Sequence, residues 1–145
     1  MTLQIAKIEI SNKNLNLLKE FIDNIGKSSD TFRYFKNRDI TCVKNHITTI
    51  VFLLENVPVV YGHLDKDGDK IWLGIATREG FTGKGFGKIM MNELILRAKQ
   101  YGLNKIYLSV DTTNKVAIDL YKKFQFKNTG ETGKMLFMER LLDNK

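Results

Sequence analysis

Apolar residues alternate along the first segment of the chain. Leu3 and Ile5, then Ile8 and Ile10, predict a strand over residues 3–10, with a phase slip near Ala6 that predicts a bulge or bend. Leu15, Leu18, Ile22 and Ile25 follow helical spacing, and Gly26 sits where such a helix stops. Residues 27–45 lose the periodicity. Phe32, Tyr34 and Phe35 cluster there among charges, which predicts a short helix flanked by loops. Ile47 to Leu54 is rich in β-branched and aromatic residues. A turn at residues 55–57 leads to Pro58 and a second strand, Val59 to Leu64. Residues 65–69 (DKDGD) predict a turn before a third strand, Ile71 to Ala76. These three strands form an antiparallel meander.

The pattern then changes. Residues 78–87 carry four glycines, Gly80, Gly83, Gly85 and Gly87. Phe86, Met90, Leu94 and Ala98 recur at four-residue steps, which predicts a helix to about Tyr101, closed by Gly102. Ile106, Leu108 and Val110 alternate as a strand. Asn114 is placed to cap a helix over Lys115 to Phe124, and residues 134–142 predict a final strand or strand pair. The order is that of an α/β or α+β chain with a mixed sheet and one βαβ crossover around the glycine loop.

Composition narrows the picture only slightly. The 145 residues, 43% hydrophobic and 27% charged, suit one domain spanning residues 1–145. A single cysteine, Cys42, excludes an internal disulfide and reads as a small half-buried residue, in keeping with a reducing cytoplasm. No run of 18 apolar residues occurs, so no membrane span or membrane partner is expected. The net charge of +7 comes from scattered Lys and Arg with no run of four. It suits a phosphorylated small molecule as well as nucleic acid, and nucleic acid is not the expected partner.

Residues 82–88 (TGKGFGK) lie between a strand and a helix. A helix N-terminus offers unpaired N–H groups and partial positive charge, and glycines let backbone approach an anion. The segment therefore predicts a phosphate cradle. Its spacing is neither that of a P-loop nor that of a dinucleotide fingerprint after the first strand of a parallel unit.

These elements resemble the GNAT N-acetyltransferases. The family's cofactor motif, Arg/Gln-x-x-Gly-x-Gly/Ala, is similar to Thr82-Gly83-Lys84-Gly85-Phe86-Gly87. Its second signature, N-x-x-A-x-x-L/F-Y-x-x-x-G-F, is similar to residues 114–126 (NKVAIDLYKKFQF). The resemblance covers residues 48–127 and is weak before them. Thr82 stands where the family has Arg or Gln, and Gln125 stands where it has Gly. The resemblance implies a central, mostly antiparallel sheet flanked by helices, with one splayed strand pair. It implies an acetyl-CoA-dependent N-acetyltransferase acting on a small primary amine by direct attack in a ternary complex, without metal. Pyrophosphate would lie on Gly83, Lys84, Gly85, Phe86, Gly87 and Lys88, beside Thr82. Pantetheine would pair with Ile75, Ala76 and Thr77, and Asn114 would hold it or orient the next helix. Tyr121, on the signature tyrosine, would serve as the acid for the leaving thiolate and touch the cofactor. Dimers are common in the family, so a homodimer is carried as an expectation.

An amine attacks only when neutral, and an alkyl ammonium has a pKa near ~10.4, so a base is needed. His63, Asp65 and Asp111 are the candidates. Glu79 is a weaker one, and His46 reads as a strand-edge residue. No His, Cys, Asp or Glu pair has metal-ligand spacing. Phe32, Tyr34 and Phe35 fall where the family shapes its acceptor pocket, or else they are core. They lean the acceptor towards an amino sugar or a nucleotide-linked amino sugar, an anion that the basic surface suits. A protein or N-terminal amine acetyltransferase and a non-catalytic acyl-CoA-binding module are the alternatives.

Overall fold

A computed structural model of the protein describes residues 4–142. Seven strands form one sheet in the order β1-β2-β3-β4-β5-β7-β6. They are β1 (Ile5–Glu9), β2 (His46–Leu54), β3 (Val57–Asp67), β4 (Lys70–Thr77), β5 (Lys105–Asp111), β6 (Lys127–Thr132) and β7 (Met135–Leu141). All neighbours are antiparallel except β4 and β5, which helix α2 (Phe86–Gln100) joins as a parallel crossover. Helix α1 (Leu15–Asp23) follows β1, and helix α3 (Lys115–Lys123) follows β5.

The alternation along the strands separates two cores. On one face Ile50, Phe52, Val60, Ile106 and Leu108 pack against Met90, Met91, Leu94 and Ala98 of α2, and against Ile118 and Tyr121 of α3. On the other, Val51, Leu53, Tyr61 and Ala76 pack against Leu18 and Phe21 of α1 and against Ile10, Ile25 and Val43. The four-residue stripe Phe86, Met90, Leu94, Ala98 is buried as the sequence predicts.

Several boundaries differ from expectation. Leu3, the start of the expected first strand, lies outside the described residues. The pairing of β1 with β2 runs from Ile5↔Leu54 to Glu9↔Ile50 without a shift, so β1 carries no bulge in its ladder. Irregularities fall instead between β2 and β3, one between His46 and Thr48 and one where Phe52↔Val60 is followed by Leu53↔Pro58. Pro58 has no N–H to give, and the ladder steps past it. Residues 27–45 reverse the expected plan: two short 3-10 helices, Gly26–Asp30 and Ile40–Asn45, flank a loop. Residues 65–67 belong to β3, and the hairpin turn is confined to Gly68 and Asp69, between Asp67 and its partner Lys70. Strand β6 was not expected. Its residues, KNTGET, are exposed throughout, so no apolar alternation marks it.

Candidate active-site cleft

Strands β4 and β5 run side by side at one registered pair, Trp72↔Tyr107. Strand β5 instead pairs fully with β7, from Lys105↔Leu141 to Asp111↔Met135. Past Trp72 the two strands diverge, and a cleft of about 980 Å³ opens between them. Residues 73–77 line one wall, and Ser109 and Val110 line the other. The walls expose backbone groups that a sheet would otherwise pair, and an extended ligand can take them up.

At one end the cleft meets the N-terminus of α2. Gly85 is the N-cap, with φ of 89°, and Gly83 has φ of 73°. A β-carbon on either would meet no atom within 4 Å, so the loop is held open rather than packed. No side chain caps α2, and its first turn has no acidic residue. Lys88 and Thr82 line the cleft here. A bare helix N-terminus behind an open glycine loop fits a diphosphate.

The far wall is α3. The Asn114 side chain accepts from the Ala117 backbone N–H at 3.2 Å, which caps α3, and Asn114 also lines the cleft. Tyr121 is 8% exposed, and burial pushes its phenol up to about 12. Among the described residues, Arg140 Nε is the one fully buried side-chain nitrogen or oxygen without a partner. The Tyr121 hydroxyl, which has no partner among the described residues, therefore opens onto the cleft it lines.

The opposite end is polar and is built on β2 and β3. Tyr34 Oη donates to Asp65 Oδ2 at 2.8 Å and lies 2.7 Å from His46 Nε2. A phenol has one proton, and here the carboxylate holds it. His46 Nε2 must then donate to Tyr34, and its Nδ1, 2.8 Å from Thr49 Oγ1, must accept. One carboxylate thus orients three side chains in series, Tyr34, His46 and Thr49. Burial pushes the His46 imidazole below its usual range, although Asp65 pulls it back, and the Tyr34 phenol is pushed far up by burial and Asp65. Beside them His63, 2% exposed, rests its ring on Tyr34 and His46 and binds Tyr61 Oη through Nδ1 at 2.5 Å. Asp67, Trp72 and Phe137 complete this end of the lining.

The cleft brings together most residues singled out from the sequence: His63, Asp65, Ile75, Ala76, Thr77, Thr82, Gly83, Gly85, Gly87, Lys88, Asn114, Tyr121, Phe32 and Tyr34. Four stand outside its lining. Phe86 is core at the start of α2, and Phe35 packs with the α1 core and against Tyr61. Lys84 is exposed on the loop. Asp111, 7% exposed, accepts from the Thr113 backbone and hydroxyl and pairs with Arg33 at 3.6 Å. Those contacts hold its carboxyl below the usual range, so it is committed to the β5–α3 turn. Glu79, the weaker candidate, accepts from the Lys27 N–H at 2.9 Å and pins the glycine loop to the chain after α1. The sequence reading missed Asp67, Trp72 and Phe137 in the lining, and Tyr61 buried behind His63. Each reads as an ordinary strand or turn residue, and only strand register brings them to these places.

Comparison with known proteins agrees with this fold. The chain is 39% identical over 69 residues to the spermine/spermidine N(1)-acetyltransferase of Bacillus subtilis strain 168, a stretch that is 46% of this chain and 45% of that protein. The chain thus spans about half the length of the curated relatives it matches. An acetyltransferase of the GNAT family from Streptococcus pneumoniae shares the fold, with TM-score 0.79 and 20% identity over 97% of this chain and 100% of that one. So does the PaiA N-acetyltransferase of Thermoplasma acidophilum in complex with coenzyme A, with TM-score 0.73 and 18% identity over 96% and 99%. The acetyltransferase (GNAT) family model matches residues 15–126, from α1 through the end of α3, and the chain belongs to that family.

Proposed function

We propose that the protein is an acetyl-CoA-dependent N-acetyltransferase for a small cationic amine. One observation carries this reading. A continuous cleft runs from the bare N-terminus of α2, through the opening between β4 and β5, to Asp65. Backbone N–H groups of residues 83–88 would hold the pyrophosphate, and residues 75–77 would pair with the pantetheine arm. The thioester supplies an activated acetyl carbon, which the amine attacks directly, forming C–N and breaking C–S.

The acceptor end supports a cation rather than an amino sugar, the expectation from sequence. Asp65 and Asp67 line it, and neither has an ion-pair partner among the described residues. The nearby arginines are occupied: Arg33 by Asp111, and Arg38 over the Tyr34 ring at 4.2 Å. A nucleotide-linked sugar would bring phosphate to two carboxylates. A diamine or polyamine would bring ammonium groups to them and to the faces of Tyr34 and Trp72. The Bacillus relative's name points the same way. Asp65, its second oxygen free of Tyr34, would anchor the ammonium and take its proton, directly or through one water.

Tyr121 would stand at the sulfur. A phenol at about 12 keeps its proton at neutral pH. Full transfer to an alkyl thiolate of pKa ~8.5 would run about 3.5 units uphill, roughly 5 kcal/mol. Tyr121 therefore stabilises the leaving thiolate by a hydrogen bond, and solvent protonates it afterwards.

The test is thermal unfolding with acetyl-CoA, then thiol release with a diamine, a polyamine, an amino sugar and a lysine peptide. The reading expects stabilisation, since a ligand confined to the folded state must raise stability. It also expects thiol release fastest with the di- and polyamines. Release led by the amino sugar would overturn the acceptor class, and no release with any amine would overturn the enzyme.

A further inference from the structure

Tyr61 is fully buried, with its ring between Phe21, Phe32 and Phe35. Its hydroxyl has one partner among the described residues, His63 Nδ1. If Nδ1 carried the proton, the Tyr61 O–H would point into a sealed apolar core with no acceptor, at a cost of about 1–3 kcal/mol. With the Tyr61 O–H donating, both groups are satisfied. The neutral imidazole then carries its proton on Nε2.

That nitrogen is well placed. His63 lies opposite Gly74 in the β3–β4 register, and a β-carbon on Gly74 would fall 2.5 Å from Nε2. Among the described residues Nε2 has no partner and is not a sealed atom, so it opens onto the cleft that His63 lines. Gly74 is two residues past Trp72, where β4 and β5 part. An acyl chain paired with residues 75–77 and anchored at the glycine loop presents its thioester at this apex.

We propose that His63 acts in the acetyl transfer described above as a neutral Nε2–H donor to the thioester carbonyl oxygen, and that Tyr61 is the positioning residue that fixes its tautomer. The inference rests on the acetyltransferase reading. A donor aimed at an oxygen that gains charge lowers the barrier without changing its own protonation. The role differs from the base expected of His63 from sequence, because an imidazole with its proton already on the cleft-facing nitrogen cannot take another there without becoming a buried cation. The groups around it oppose that charge. Burial, His46 and Arg38 all push the imidazole well below its usual range. Tyr34 and Tyr61, the remaining titratable contacts, are neutral phenols.

The test uses the full chain. With 15N-histidine labelling, two-bond correlations should show the Nε2–H tautomer for the signal that disappears in H63Q, unchanged from pH 8 to 6. An Nδ1–H tautomer, or titration near pH 7, overturns the proposal. In turnover with the best amine, H63A should lose about 10²-fold in kcat, the usual cost of one such donor. H63Q, which keeps an N–H but cannot serve as a base, should recover at least tenfold of that with the wild-type pH profile. H63Q as slow as H63A, or without the acid limb of the profile, overturns the donor role. Y61F removes only the tethering hydroxyl and guards against misfolding of the His63 variants. It should disturb the tautomer and lower kcat without changing the KM for acetyl-CoA, and no effect on either would overturn the role of Tyr61. Thiol release by the wild type is the separate control. If it is present, these outcomes judge His63 alone; if it is absent, the reaction and the role fall together.

Discussion

Replacing Gly74 by alanine tests the tight contact at the apex of the cleft. The new β-carbon would lie 2.5 Å from His63 Nε2, 2.6 Å from Cε1 and 3.2 Å from Cδ2. Non-bonded carbon contacts begin near ~3.5 Å, so the ring must retreat by about 1 Å. It has nowhere to go. Its Nδ1 is tied to Tyr61, and its faces meet Tyr34 and His46 at centroid distances of 4.4 and 4.7 Å. Overpacking of this kind costs about 1–3 kcal/mol. Breaking the Tyr61–His63 bond would strand a buried hydroxyl for another ~1–3 kcal/mol. Against this, losing a glycine from the unfolded chain returns about 0.4–1 kcal/mol. The expected net loss is roughly 1–5.5 kcal/mol, read as a lower urea midpoint at unchanged slope. Two controls isolate the cause. G87A adds a β-carbon 3.5 Å from Leu120 Cδ2, an ordinary contact, and should not destabilise. The double variant G74A/H63A removes the ring that clashes, so the two losses should fall short of additivity by more than 1 kcal/mol. A G74A protein within 0.5 kcal/mol of wild type, or an additive double variant, would refute the contact.

Other consequences are equally direct. Y121F should lower kcat about 10–100-fold, the worth of one hydrogen bond to a charged group at ~1.5–3 kcal/mol, with the KM for acetyl-CoA little changed; steady-state kinetics decide it. D65N should raise the KM for the cationic amine far more than that for acetyl-CoA, and an unchanged amine KM would remove Asp65 from the acceptor site. G85A puts a side chain at φ of 89°, so it should cost about 1–2 kcal/mol and weaken acetyl-CoA binding in calorimetry. Stability should also fall on acidification below pH ~6.5. The unfolded chain takes up a proton there that buried His63, its pKa lowered, does not, so His63 alone contributes up to ~1.4 kcal/mol per pH unit. Urea melts of wild type and H63Q at pH 6.5 and 5.5 should differ in that slope.

The sequence disclosed what depends on short-range pattern. The meander, the α2 stripe, the glycine loop and the Asn114 cap all announce themselves within a few residues, and all lie where expected. What it hid depends on distant pairing. Strand β6 has no apolar face, because both of its faces meet water, and only its pairing with β7 makes it a strand. Pro58 reads as a strand breaker, yet a register shift accommodates it. Tyr61 looks like one more apolar position of β3. Its tie to a histidine two residues along the same face is visible only once helix α1 and the aromatic loop close over them. Asp111 shows the converse. Its residue type suits a base, but the turn around it leaves no free oxygen pair.

The hydrogen-bonded file from Thr49 through His46 and Tyr34 to Asp65 makes the protein its own reporter. An ammonium arriving at Asp65 weakens the pull of that carboxylate on the Tyr34 proton, and each donor behind it responds in turn. The half-buried imidazole of His46 should register acceptor binding several bonds away, without label or turnover. Histidine resonances could thus rank candidate amines by affinity before any coupled assay is built.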